Sequence, residues 1–312
     1  MRRYWTAASA LFLLSSLASA APAVAQAPGL SIGGEVTVVD PGAEPRQSLR
    51  YVYVEGKTET MEVDIAMSMD MSLSGTEMMQ MDLPMSMAMT STITDVSGDG
   101  VARAEFELTD FSFGAIGMAL DGEPVADAGD LAADEMNSQA EAMIGVTGWM
   151  EVDDRGRVLD FGLDLPADLP PEVAQQSQQA VIQTRPLPEE PVGVGAVWES
   201  AMAVDQTGLG MDVNIISELV ELDDSGFRTD EDFSMDLEAA SEGFDLIPGL
   251  ELSIDEFTVE GGGSSDIRLD RISQAAEMDL EMRMAMSAAV EGEGMDIAMD
   301  LDLSMASTVT DQ

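Results

Sequence analysis

From Met61 to Leu73 every odd position is apolar: Met61, Val63, Ile65, Met67, Met69, Met71 and Leu73. Glu62, Asp64, Ala66, Ser68, Asp70 and Ser72 fill the even positions. After Ser74-Gly75-Thr76-Glu77 the alternation resumes at Met79 and continues through Met81, Leu83, Met85, Met87 and Met89. Successive strand side chains point to opposite sides, so strict period two over this length predicts a β-hairpin with one buried face. A second such hairpin closes the sequence. Met278, Leu280, Met282, Met284 and Met286 alternate with Asp279, Glu281, Arg283 and Ala285. The chain turns at Gly292-Glu293-Gly294, and Met295, Ile297, Met299, Leu301, Leu303 and Met305 follow.

Between the hairpins the pattern predicts further strands. Residues 49–55 read as an opening strand, with Tyr51 and Tyr53 on one face, and residues 36–39 as a short one. Residues 101–113 alternate again after a turn at Ser97-Gly98-Asp99-Gly100. Asp153-Asp154-Arg155-Gly156 and Asp223-Asp224-Ser225-Gly226 have turn chemistry and sit between apolar runs. Two helices are expected near the middle. Residues 130–144 place Leu131, Met136, Ala140, Met143 and Ile144 on one stripe. Residues 168–184 form the second, with Asp168 as cap and Pro170 and Pro171 in the first turn. Pro186, Pro188 and Pro191 read as a stiff connector, and Gly261-Gly262-Gly263-Ser264-Ser265 as a flexible break.

The fold class expected is mainly β: long curved antiparallel sheets, or one large sheet, with two short helices and an internal duplication of a β-rich unit. The expected organisation is a signal peptide over residues 1–25, a flexible leader over 26–48 and an N-terminal β-rich half over 49–166. A helix and Pro-rich connector over 167–192 and a C-terminal β-rich half over 193–312 follow.

The signal reading rests on Arg2 and Arg3 before the short apolar run 7–17, then Ala18-Ser19-Ala20 and Ala23-Val24-Ala25, either of which fits a cleavage site. Cleavage after Ala25 is preferred. The expected compartment is periplasmic or extracellular, with a soluble mature chain and no membrane span.

Charge sharpens this picture. Sixty acids against 13 bases give a net charge of −47, so most carboxylates have no cationic partner. That argues against nucleic acid and anionic membrane surfaces as partners, since both call for basic patches. The chain has no cysteine and no histidine. It therefore has no disulfide, no thiol nucleophile and no Ser-His-Asp triad, and it lacks the cysteine and histidine ligands on which most zinc sites depend.

The segment Trp149-Met150-Glu151-Val152-Asp153 through Arg157-Val158-Leu159, with Leu187-Pro188-Glu189-Glu190-Pro191-Val192-Gly193-Val194-Gly195-Ala196-Val197-Trp198-Glu199, resembles an uncharacterised bacterial family of secreted proteins and lipoproteins. The shared pattern is a Tyr-rich opening strand, a D-x-x-G-R-V hairpin and a P-x-x-P-V-x-x-G-x-x-W segment, spanning residues 49–309. The resemblance implies fold and compartment but no chemistry. The lipobox cysteine of some members is missing here, which implies a free secreted form. A weaker analogy is to half-barrel lipoprotein carriers.

Methionine is the remaining candidate chemistry, with 25 residues in the chain. Met67, Met69, Met71, Met85, Met87, Met89, Met282, Met284 and Met286 would line a cavity for an apolar or lipid-like molecule, because methionine is a flexible, polarisable filler. Met85, Met87 and Met89 alternatively have the Met-x-Met spacing of an extracytoplasmic Cu(I) site. Plain core packing is the third reading, because Val63, Ile65, Leu73 and Leu83 share the register without a thioether. A non-enzymatic protein without cofactor is expected, binding an apolar ligand or serving a purely structural role. An enzyme working through carboxylates alone is the remaining class, although sequence proximity among 60 acids singles out no pair.

Self-repulsion at this charge weakens with salt. The melting temperature is expected to rise as ionic strength goes from about 0.01 M to about 1 M, over which the screening length falls from about 30 Å to about 3 Å. Calorimetric melts that stay flat across that range would contradict it.

Overall fold

The computed structural model describes residues 35–311, except 74, 121, 126–127, 165–184, 207–208, 238–243, 248–249 and 291–292. The strands are β1 (Glu35–Asp40), β2 (Thr58–Leu73), β3 (Thr76–Val96), β4 (Ala102–Phe113), β5 (Gly117–Leu120), β6 (Glu123–Pro124), β7 (Thr147–Val152) and β8 (Val158–Asp164). They continue as β9 (Val197–Gln206), β10 (Leu209–Leu222), β11 (Gly226–Leu237), β12 (Phe244–Ile247), β13 (Leu250–Arg268), β14 (Ala275–Val290) and β15 (Glu293–Asp311). One helix, α1 (Ala128–Glu141), lies among the described residues; the second expected helix falls outside them.

The fifteen strands among the described residues all belong to one antiparallel sheet. Twelve form a single path, β1-β9-β10-β11-β13-β14-β15-β2-β3-β4-β7-β8. The two methionine hairpins, at opposite ends of the sequence, are therefore neighbours at the centre of the sheet. Their seam runs from Ile297 opposite Leu73 to Asp311 opposite Glu59. The turns form as the sequence predicts. Gly100 takes positive φ between β3 and β4, and Asp153 Oδ1 accepts the Arg155 and Arg157 amides at 2.9 Å between β7 and β8. Asp223 Oδ1 does the same for Ser225 and Gly226 between β10 and β11.

The sheet curls. Met150 and Val152 of β7 share one core cluster with Trp198 of β9 and Leu219 of β10. On the path β9 and β7 stand nine strand spacings apart, which would hold them about 43 Å from each other in a flat sheet. A common core requires the apolar face to be the inside of a bend. The edges do not meet: among the described residues β1 pairs with β9 alone and β8 with β7 alone.

Irregular chain fills the inside of one end. Tyr51 and Tyr53 stack at 5.5 Å between ring centroids. The Tyr51 amide donates to Asp154 O, and the Val52 amide to Leu269 O. This stretch was expected to be a strand; it alternates as one, but its amides bond to turns. Residues 26–48 were expected to form a loose leader, yet β1 pairs with β9 and Gln47 bridges to Val192. The proline connector is likewise core, since Leu187, Pro188 and Val192 are buried and the Leu187 amide donates to Arg155 O at 2.8 Å.

The Gly261-Gly262-Gly263 stretch is not a break but the middle of β13. A Cβ at Gly261 would run into Asp279 O, and one at Gly263 into Glu277 O. Both clashes are with β14 backbone, so the glycines permit a close approach at which the sheet bends. Gly263→Ala is expected to destabilise the fold by about 1–3 kcal/mol through overpacking. Urea denaturation checks this, and an unchanged midpoint would remove the bend from this position.

Candidate ligand-binding face

The inner face is built from lateral rows of side chains. One row reads Val213, Met235, Val259, Met282, Leu301, Met69, Met81 and Met118 across β10, β11, β13, β14, β15, β2, β3 and β5. Two rows further along, Met278, Met305, Ile65, Met85 and Phe113 lie side by side on β14, β15, β2, β3 and β4. The next row contains Val63, Met87 and Phe111.

Different parts of this face have different covers. Helix α1 lies over one end, where Ala133 and Met136 pack with Met67, Met69, Met79, Met81, Met299 and Leu301. Asn137 pins the helix to the end of β4: its Oδ1 accepts the Phe113 amide at 2.8 Å, and its Nδ2 donates to Phe113 O at 3.0 Å. The tyrosine-centred core closes the other end. Between the two, Ile65, Met85, Met87, Met278, Met305 and Phe111 are half-buried and belong to neither core. They form an apolar band across five strands.

The nine methionines expected as a cavity lining are thus divided. Met67 and Met69 are buried under α1, with Met71, Met282 and Met284 packed against that cluster. Met89 packs against the tyrosine core. Only Met85 and Met87 of the set lie in the open band. Met286 pairs with Ile254 and Ile297 through the backbone, and its side chain lies outside the described residues. Ile65, Met278, Met305 and Phe111 were missed as lining residues. Their register was readable, but only the lateral pairing brings them together.

A cleft of ≈ 740 Å³ crosses β13, β14, β15, β2 and β3, but it is lined largely by outward positions, among them Ser68, Asp82, Glu260, Asp279, Glu281 and Asp302, and none of the band residues borders it.

Polar groups flank the band. Glu231 on β11 is buried in an ion pair with Arg185, and accepts from Thr229 Oγ1 at 3.0 Å and Ser265 Oγ at 3.3 Å. Arg185 Nη2 also donates to Ser265 Oγ at 3.0 Å. A buried pair needs such additional bonds to offset its desolvation. Beyond Met61 and Met89, the inner-face partners Glu59 and Ser91 are both buried. Glu59 Oε1 accepts the Ser273 amide at 2.6 Å and the Ile272 amide at 3.2 Å, tying β2 to the turn between β13 and β14. Desolvation raises the Glu59 carboxyl above its usual range, against the lowering by those amides and by Arg271.

No family model matches the chain, and no curated protein matches it. Among solved structures the chain is similar to the Pseudomonas aeruginosa protein OccK11 (OpdR), at 6% identity over 83% of this chain and 100% of that one, with a TM-score of 0.21. It is also similar to the translocator domain of the autotransporter NalP from Neisseria meningitidis, at 10% identity over 80% of this chain and 88% of that one, with a TM-score of 0.15. Scores this low carry neither fold nor function across. No helix among the described residues is long and apolar enough to cross a membrane. A lipid-facing barrel carries its apolar side chains outside. Here the outward positions at the centre of the sheet include Asp64, Asp70, Asp279, Glu281, Asp300 and Asp302, all exposed.

A carboxyl whose folded-state pKa is raised stabilises the fold fully only below its unfolded pKa, and that contribution is lost as pH rises through the folded value. Glu59→Gln removes the dependence. The stability difference between the Gln variant and the native chain is expected to shift in favour of Gln as pH rises above the ordinary carboxylate range. Urea denaturation at acid and neutral pH measures it; a difference independent of pH would show that Glu59 titrates alike in both states.

Proposed function

We propose that this chain is an exported, non-enzymatic protein that holds apolar, lipid-like molecules against the band of Ile65, Met85, Met87, Met278, Met305 and Phe111. The observation that supports this reading most directly is the half-burial of that band between two closed cores. Among the described residues neither cover continues across it, and contiguous apolar surface that is left partly open marks a ligand or partner surface. Methionine suits a guest of variable shape, since its unbranched thioether side chain repacks easily. At one flank Glu231, Thr229, Ser265 and Arg185 satisfy one another, while at the other Glu59 Oε2 and Ser91 Oγ have no partner among the described residues; the attraction offered by the band itself is apolar burial, worth about 25 cal/mol per Å².

Export accords with the signal-like N-terminus, and the family resemblance points the same way. We also read the two halves as products of duplication. Outward from the β15–β2 seam each side begins with a methionine hairpin and continues with antiparallel strands.

Titration with the neutral dye N-phenyl-1-naphthylamine tests the reading. Saturable fluorescence enhancement is expected with the folded chain. It should be lost in Ile65→Glu/Met305→Glu, which places two charges in the band. Absence of enhancement, or enhancement indifferent to those substitutions, would end the proposal. Native mass spectrometry of protein from its source should show co-purifying apolar molecules.

A further inference from the structure

Four methionines occupy one lateral row at the centre of the sheet. Met284 on β14 is opposite Met299 on β15, Met299 is opposite Met71 on β2, and Met71 is opposite Met79 on β3. All four are on the inner face. Met79 and Met299 are buried, while Met71 and Met284 are half-buried and reachable. Phe257 and Leu120 close the two ends of the row. The adjoining row adds Met282, Met69 and Met81, and Met136 of α1 packs on the same cluster.

Spacing separates this row from the Met-x-Met tracts. A metal–sulfur bond of about 2.3 Å holds coordinated sulfurs about 4 Å apart. The outer two residues of Met85, Met87 and Met89 are separated by four residues along a strand, about 13 Å. The outer two of three lateral neighbours are about 10 Å apart. Curling of the sheet towards this face tilts lateral neighbours together and does nothing for residues along a strand. All four members of the row span about 14 Å in a flat sheet, so it is the curl, which acts across strands and not along them, that lets three adjacent thioethers and then the fourth converge on one ion.

The chemistry is that of soft, neutral donors, which select Cu(I) among biological metals. With no cysteine and no histidine, the chain has thioether sulfur as its only soft side-chain donor. Thioethers bring no charge of their own, but a net charge of −47 attracts a monovalent cation.

We propose that Met71, Met79, Met284 and Met299 form a binding site for a soft monovalent metal ion of the Cu(I) class. This does not rest on the apolar-ligand reading, which concerns a different part of the face.

The test uses the full chain, titrated with Ag(I) as a redox-inert probe under native mass spectrometry. Cu(I) is then measured under reducing conditions in competition with a chromophoric chelator. Two variants are compared: Met71→Leu/Met79→Leu/Met284→Leu/Met299→Leu, and Met85→Leu/Met87→Leu/Met89→Leu. Leucine nearly conserves volume, so both are expected to fold, as circular dichroism would report. Should the fourfold variant fail to fold, Met71→Leu/Met284→Leu, at the two half-buried positions, replaces it. One tight equivalent per chain is expected in the native protein and in the Met85, Met87, Met89 variant, and its loss in the row variant. Absence of a tight equivalent in the native chain, unchanged affinity in the row variant, or an equal loss in both variants would each overturn the assignment.

Discussion

The pairing of β15 with β2 is the contact on which the rest of the molecule depends. It joins residues 59–73 to residues 297–311, nearly the whole length of the chain apart. Without it the sheet would be two, each with a methionine hairpin ending in an open edge. With it the two apolar faces become one, too broad for any single helix to cover. A face of that breadth can be removed from water only by bending over itself. The bend then brings β7 and β8 onto the same core as β9, β10 and β11.

Bending five long strands has local requirements that the sequence meets at identifiable places. β13 carries glycines where its inner side meets β14 backbone. Register shifts fall at Met71/Ser72, Ala88/Met89 and Ile254/Glu256, where extra residues increase the local twist. The gap between the edges is bridged by irregular segments whose amides find turn carbonyls. The tyrosine stretch bonds to the turns after β7 and β13, and the stretch at Leu187 to the turn after β7. Lys57 adds an ion pair to Asp270 at 2.5 Å, holding the start of β2 to the turn after β13.

Much of this was legible in the sequence, and the illegible part has a common cause. Period-two alternation identified β2, β3, β14 and β15 and the side each strand buries, because that information lies within a strand. Turn chemistry at Ser97, Asp153 and Asp223 was local too. The β15–β2 seam was not, because antiparallel pairing of distant strands leaves no trace in either one alone. The same blindness affected the lining. Met67 and Met85 look equivalent in sequence, and only the position of α1, fixed by Asn137, buries one and leaves the other half-open. Gly261 to Gly263 read as a break because glycine is depleted in strands. A bend inside a strand calls for the same residue for a different reason.

Outer and inner faces impose opposite conditions on one set of strands. Outward, carboxylates stand directly opposite one another: Glu260 and Glu281, Glu281 and Asp302, Asp300 and Asp70. Each like-charge pair costs roughly 0.2–1 kcal/mol relative to a neutral one. Such pairs are tolerable only if the inner face supplies a larger opposing term. That term is burial of the apolar rows, and it is what holds the acidic strands together. Leaving a central band of those rows half-open gives up some of that burial. On the proposed reading an apolar guest in the band would restore that burial, and stability would rise with occupancy.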